Sequence, residues 1–181
     1  YVEVTEHLAG IGVEVGSVKL NLKKMQANKN KIVEGLTKGI ELLFKKNKVD
    51  WLSGVATVKS ASEVLVLLAE GDKVMLKTER VLIATGSEPT PLLGVEVDEK
   101  RIVTSAGALN LTKVPKHIVV IGGGYIGLEM GSVWARLGAR VTVVEFLDRI
   151  VPTMDHEIGE QFMAVLSKQG MTFKLSTKVT C

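Results

Sequence analysis

A single cysteine, Cys181, stands at the last of 181 positions. One thiol forms no internal disulfide and supplies no set of thiolates for a zinc site. Histidine is scarce as well. His7, His117 and His156 lie far apart, without the short spacings that let imidazoles converge on a metal. They are expected as surface or capping residues, and no metal site is expected. Aromatic residues make up 4% of the chain, too few for a platform on which bases stack. No apolar run approaches the ~18 residues that cross a bilayer, and the densest, Val64 to Ala69, has only the length of a strand. The opening stretch YVEVTEHLAG lacks the charged-then-apolar layout of a secretory leader. A net charge of +3 exerts little long-range pull on nucleic acid, and the lysines gathered between Lys19 and Lys48 read as a solvated helix face. Neither a nucleic-acid nor a membrane partner is expected.

What is present is the balance of a chain that folds around a core: 46% hydrophobic and 24% charged residues. Leu22, Met25, Ile32, Val33, Leu36, Ile40, Leu43 and Phe44 recur at steps of three, four and seven, the stripe of a long amphipathic helix. Asn47 and Asp50 are its stop signals. The period then changes. DWLSGVATV, SEVLVLLAE and DKVMLKT are three short β-prone runs parted by turn residues, which predicts an antiparallel meander. Val81 to Ala84 is continuously apolar and ends in Thr85-Gly86-Ser87, which predicts a strand covered on both faces. Glu88 to Pro115 carries three prolines and reads as a linker with a short helix near TSAGALNL.

Beyond Pro115 the pattern is β-α-β. A buried strand is expected over His117–Ile121, a turn over Gly122–Gly127, a helix over Tyr125–Leu137 stopped by Gly138, and a strand over Arg140–Glu145. A second helix over Asp155–Gln169, stopped by Gly170, and a strand in MTFKLSTKV follow. The turn has the form G-x-G-x-x-G, in the strand–turn–helix setting that gives this otherwise weak motif its meaning. Gly122 permits the tight turn, Gly124 lets the backbone approach a pyrophosphate, and Gly127 lets helix and strand pack closely. The helix start offers amides and partial positive charge to phosphates. Glu145 falls at the end of the second strand, where a carboxylate accepts from a ribose 2′-hydroxyl and repels a 2′-phosphate. That favours NAD over NADP, with nearby Arg149 as the counter-signal. Glu129 either faces the ligand crevice or only stabilises the helix start as a negative charge. The residues by themselves thus predict a dinucleotide-binding unit attached to a preceding α/β segment, and name no reaction.

IATGSEP, then VPKHIVVIGGGYIGLEMGSVWARLGARVTVVEF, then PTMDHEI, TSAGAL and KQGMTFKLSTKV together resemble the flavoprotein pyridine nucleotide-disulfide oxidoreductases. The likeness runs over nearly the whole chain, less clearly before Leu20, and is greatest to the branch that oxidises protein-bound dihydrolipoamide. It implies an α/β fold in two parts. Residues 1–88 would be the C-terminal part of a first FAD-binding segment, the long helix plus β-meander. Residues 89–181 would be a Rossmann-like NAD-binding domain, incomplete at its C-terminus. It implies FAD beside Ala56 and beside Thr85, Gly86 and Ser87. NAD would lie on Gly122, Gly123, Gly124, Tyr125, Ile126, Gly127, Leu128 and Glu129, with Glu145 on the adenosine ribose and Val179 near the adenine. The implied whole protein passes electrons from a dithiol through FAD to NAD⁺. It would be a homodimer serving the lipoyl domains and core of 2-oxoacid dehydrogenase complexes, in the mitochondrial matrix or, alternatively, the bacterial cytoplasm. The family's Cys-x4-Cys redox pair, its first glycine-rich FAD turn and its catalytic His-Glu pair have no match here. The chain is therefore expected to be an internal fragment, without catalytic residues and inactive alone. Another NADH-dependent disulfide or mercuric reductase, and a stand-alone non-catalytic nucleotide-binding module, are the alternatives.

Overall fold

A computed structural model describes residues 2, 4 and 8–180; His7 and Cys181 lie outside the described residues. The chain forms two compact units, Asn28–Glu88 and a second made of Tyr1–Ala27 with Pro89–Cys181. One boundary between the units falls after Glu88 and the other after Ala27, inside the first long helix.

Helix α1, Leu22–Lys46, begins where Asn21 caps it, its Oδ1 accepting from the amide of Lys24 at 3.0 Å. It ends as expected at Asn47, whose side-chain amide donates to the Leu43 carbonyl at 2.8 Å, with Lys48 turning left-handed at φ 54°. Within the unit Asn28–Glu88, three strands follow: β1 (Gly54–Ser60), β2 (Glu63–Leu68) and β3 (Lys73–Lys77). They pair antiparallel in the order β1-β2-β3, the meander read from the alternation. Ala56 pairs with Val66, and Val66 with Val74. Val66, on the central strand, is the buried hydrophobic residue of this unit. The apolar stripe of α1 is largely exposed.

The strand expected over Val81–Ala84 does not form. The segment is coil, with Leu82 91% and Ile83 73% exposed. An apolar run becomes a strand only where a neighbour supplies ladder partners for its amides and carbonyls, and none among the described residues does.

The other unit holds the β-α-β pattern. Its strands β4 (His117–Ile121), β5 (Arg140–Val144) and β6 (Thr172–Lys174) pair parallel in chain order. Helix α3 (Tyr125–Arg136) joins β4 to β5, and α4 (His156–Lys168) joins β5 to β6. Each ends before a left-handed glycine, Gly138 at φ 103° and Gly170 at φ 89°. Leu128 and Trp134 of α3 pack with Val141, Val143, Ile150, Val151, Leu166 and Met171 into one core. Gly131 allows this closeness, since a Cβ there would lie 2.9 Å from Met171 Cε.

β4 is only half as buried as expected. Ile118 and Val120 turn toward the core, while His117, Val119 and Ile121 are exposed, because helices cover one face of the sheet alone. At one end of the open face Arg140 Nη2 donates to His117 Nδ1 at 3.0 Å. His117 Nε2 lies 2.9 Å from Thr142 Oγ1. Because a guanidinium only donates, Nδ1 is the acceptor and the ring proton sits on Nε2.

Ahead of β4, a short helix α2 (Ser105–Ala108) lies in the expected TSAGALNL segment, capped by Thr104. Side chains satisfy the carbonyl of its last residue and two just beyond it. Trp134 Nε1 donates to Ala108, and Gln26 Nε2 donates to Leu109 and Leu111, both at 3.1 Å. Together with Leu22, packed on the core, the contact of Gln26 explains why the start of α1 belongs to this unit.

Candidate nucleotide-binding site

The turn between β4 and α3 is shaped by its glycines, each for a different reason. Gly122 sits at φ 99°, a conformation costly for any side chain, and its amide donates to the Val144 carbonyl at 2.8 Å. A Cβ on Gly124 would meet nothing within 4 Å, so the backbone there lies open to a ligand. A Cβ on Gly127 would come within 2.9 Å of Val120 Cγ1, so helix and strand approach only because it is absent.

The start of α3 differs from those of the other capped helices. Asp155 caps α4 by accepting from the Glu157 amide at 2.9 Å, and Thr104 caps α2. Gly124, the N-cap of α3, has no side chain to do so. The first ladder bond is Leu128 N–H to the Gly124 carbonyl at 3.1 Å, so the amides of Tyr125, Ile126 and Gly127 precede the ladder. Three forward-pointing amides at a helix start suit an anion. Tyr125, Ile126 and Glu129 are exposed around this end, while Leu128 is fully buried in the core. The Leu128 side chain therefore holds the fold together and does not line the crevice.

Glu145 lies just past β5, one residue beyond the strand's end rather than within it. It is the buried charged residue among those described, 8% exposed. Its Oε2 accepts from the amide of Gly123, and its Oε1 accepts from the amide of Leu147 at 2.7 Å. Gly123 provides the seat: a Cβ there would lie 3.1 Å from both Glu145 Oε2 and Ile150 Cγ2. Sequence reasoning gave Gly123 no separate task. The signal is the middle glycine of the run Gly122–Gly124, at a position the motif leaves open.

Arg149, the counter-signal, is half-buried and donates to the Pro152 carbonyl at 3.0 Å. Val179 is half-buried in the coil after β6. That coil runs beside the end of β5, the amide of Thr177 donating to the Glu145 carbonyl at 2.9 Å. Ala56 and Thr85–Ser87 belong to the other compact unit and are exposed, Ala56 in β1 and Gly86 at φ 79° in coil. A hollow of about 410 Å³ lined by Glu41, Phe44, Lys45, Lys48 and Trp51 shares no residue with the glycine turn. Among the described residues no cluster of His, Cys, Asp and Glu could hold a metal, and no helix is long and apolar enough to cross a membrane.

A glycine turn between a parallel strand and an uncapped helix, with a carboxylate at the end of the next strand, defines a dinucleotide-binding α/β unit. Comparison with known proteins is specific. Residues 2–181 match the pyridine nucleotide-disulphide oxidoreductase family, and the chain belongs to it. It is 54% identical over 179 residues to the mitochondrial dihydrolipoyl dehydrogenase of Pisum sativum, covering 99% of this chain and 36% of that protein. It is 53% identical over 175 residues to dihydrolipoyl dehydrogenase 3 of Pseudomonas putida, covering 97% of this chain and 37% of that one. Among solved structures, the flavoprotein disulfide reductase RclA of Escherichia coli superposes with a TM-score of 0.72 at 26% identity, over 86% of this chain and 35% of that one. The chain thus spans little more than a third of the length of the curated relatives it matches.

Proposed function

We propose that this chain is a segment of a dihydrolipoyl dehydrogenase, with residues 1–88 belonging to its FAD-binding domain and residues 89–181 to its NAD-binding domain. The whole protein oxidises protein-bound dihydrolipoamide, with NAD⁺ as acceptor. It does so as a homodimer within 2-oxoacid dehydrogenase complexes. The single observation that carries the nucleotide part is the Glu145 carboxylate seated against the glycine turn. The choice of dithiol substrate rests on identity above one half to dihydrolipoyl dehydrogenases across nearly the whole chain.

When bound, FAD and NAD⁺ supply the two-electron carrier and the final acceptor. The residues of this chain bind and orient. Gly124 and the amides at the start of α3 receive the pyrophosphate, and Gly127 keeps the helix close enough for them to reach it. Glu145 retains lone pairs beyond its two amide bonds, since a carboxylate offers about four acceptor sites. One of these takes the adenosine 2′-hydroxyl and turns away a 2′-phosphate. Arg149, directed to the Pro152 carbonyl, leaves that preference with the acid. Glu129, exposed beyond the turn, stands on the nicotinamide side, and Val179 near the adenine. Ala56 and Thr85–Ser87 would meet FAD through main-chain groups. Dithiol chemistry needs two thiols, so with Cys181 alone it falls to residues outside this chain. The relatives include mitochondrial and bacterial proteins, and we favour a mitochondrial setting.

The test uses the full-length protein, purified with its flavin. It is expected to form NADH from NAD⁺ and dihydrolipoamide, and to act poorly on glutathione disulfide. Efficient reduction of glutathione disulfide or of mercuric ion, without dihydrolipoamide oxidation, would transfer the chain to another branch of the family.

A further inference from the structure

Three segments meet at one residue, Glu145, two of them through its side chain and one through its main chain. The Glu145 carboxylate accepts from Gly123, in the turn after β4, and from Leu147, in the loop after β5. The same residues are tied again through their own main chain. The Gly123 carbonyl accepts from the Val151 amide and the Leu147 carbonyl from the Ser176 amide, both at 2.8 Å. The Glu145 amide and carbonyl bond to Lys174 and Thr177, in and just after β6, both at 2.9 Å. The carboxylate of this buried residue therefore joins the glycine turn to the 145–151 loop, and its main chain joins that loop to the stretch in and beyond β6.

We propose that Glu145 is a positioning residue for the glycine turn, in addition to an acceptor for a ribose hydroxyl: its carboxylate fastens the turn to the loop after β5 through the amides of Gly123 and Leu147. The inference deepens the nucleotide reading above and rests on it. Two consequences follow from the geometry. The Gly123 amide is engaged inside the protein, so anion binding falls to the amides of Tyr125, Ile126 and Gly127. Removal of the carboxylate leaves two amides without their charged acceptor, and they regain a partner only if water enters or the turn moves. Glutamine is a partial substitute, because its NH₂ group would face one of two N–H donors.

The clamp is tested in the full-length protein by titrating NAD⁺, and an NAD⁺ analogue lacking the adenosine 2′-hydroxyl, into wild type, Glu145→Ala and Glu145→Gln. An acceptor that serves the hydroxyl alone has no effect on the analogue. A positioning residue does. We expect Glu145→Ala to bind the analogue roughly tenfold more weakly than wild type, the scale of a lost bond to a charged group, with Glu145→Gln in between. In ligand-free protein, hydrogen exchange at Gly123 and Leu147 should quicken by a similar factor in Glu145→Ala. Unchanged affinity for the analogue together with unchanged exchange overturns the proposal. If Glu145→Ala does not fold, Glu145→Gln carries the same two comparisons. If wild type binds neither ligand, the nucleotide reading falls, and the exchange rates alone decide whether the clamp exists.

Discussion

The indole N–H of Trp134 reaches the carbonyl of Ala108 at 3.2 Å, while the ring itself, 3% exposed, lies in the core beneath α3. One residue thus fills the centre of the nucleotide-binding unit and terminates the short helix ahead of it. Trp134→Phe keeps most of the volume and removes the bond. It should lower stability by about 1–2 kcal/mol. Trp134→Ala opens a cavity as well and should cost about 3–5 kcal/mol. Urea unfolding of the full-length protein measures both, and equal losses in the two variants would show that the hydrogen bond, not the ring, matters.

Gly124 and Gly127 are three positions apart and should fail differently. Valine at 127 meets Val120 and should destabilise by about 1–3 kcal/mol through overpacking. At 124 an added Cβ meets nothing within 4 Å, so valine there should cost no more than about 1 kcal/mol, the loss of a favourable N-cap residue. The valine stands where the pyrophosphate would lie, so NADH affinity should fall by at least roughly tenfold, the scale of one lost charge-assisted bond. Melting curves and NADH fluorescence titrations separate the two effects. Tight NADH binding by Gly124→Val would place the pyrophosphate elsewhere.

Asp98 gives a pH prediction. Amides of Ile102, Lys100 and Arg101 donate to its carboxylate and hold its pKa at about 2, below the ordinary 3.8. A depressed carboxylate stabilises its loop fully above the ordinary value, and the benefit is lost as pH falls through about 2. Protection of the Lys100–Ile102 amides against exchange should therefore decline across that interval. In Asp98→Ala it should be low and independent of pH there.

Asp155→Ala removes the cap of α4 and should cost about 0.5–2 kcal/mol. Asp155→Asn, which keeps an acceptor for the Glu157 amide, should recover most of that loss. Thermal melts of the two variants decide it, and equal losses would mean that the charge beside the helix start outweighs the hydrogen bond.

Periodicity and punctuation made most elements legible. The ends of α3 and α4 could be placed because Gly138, Asp155 and Gly170 act locally, through φ and short-range hydrogen bonds that a sequence displays directly. Val81–Ala84 reads as a strand and is coil, because a ladder is a relation between strands. Continuous apolarity records a segment's demand for cover and says nothing of who provides it. Likewise Val119 and Ile121 look buried by composition, yet lie on the face that no helix covers. At the candidate site, Glu145 and the glycines could be read by spacing. The seating of the acid on Gly123 could not, since it depends on how β4 and β5 align, Ile121 opposite Val144.

The opening Gly122–Gly127 has a consequence for how this site can vary. Four of its six positions are glycine, and the other two, Tyr125 and Ile126, are exposed. Whatever anion settles there meets main-chain groups, which every amino acid possesses. Substitution at 125 and 126 can therefore drift, altering the rim of the crevice without erasing its grip. The glycines have no such latitude: the heritable information at this turn is mostly an instruction to leave side chains out.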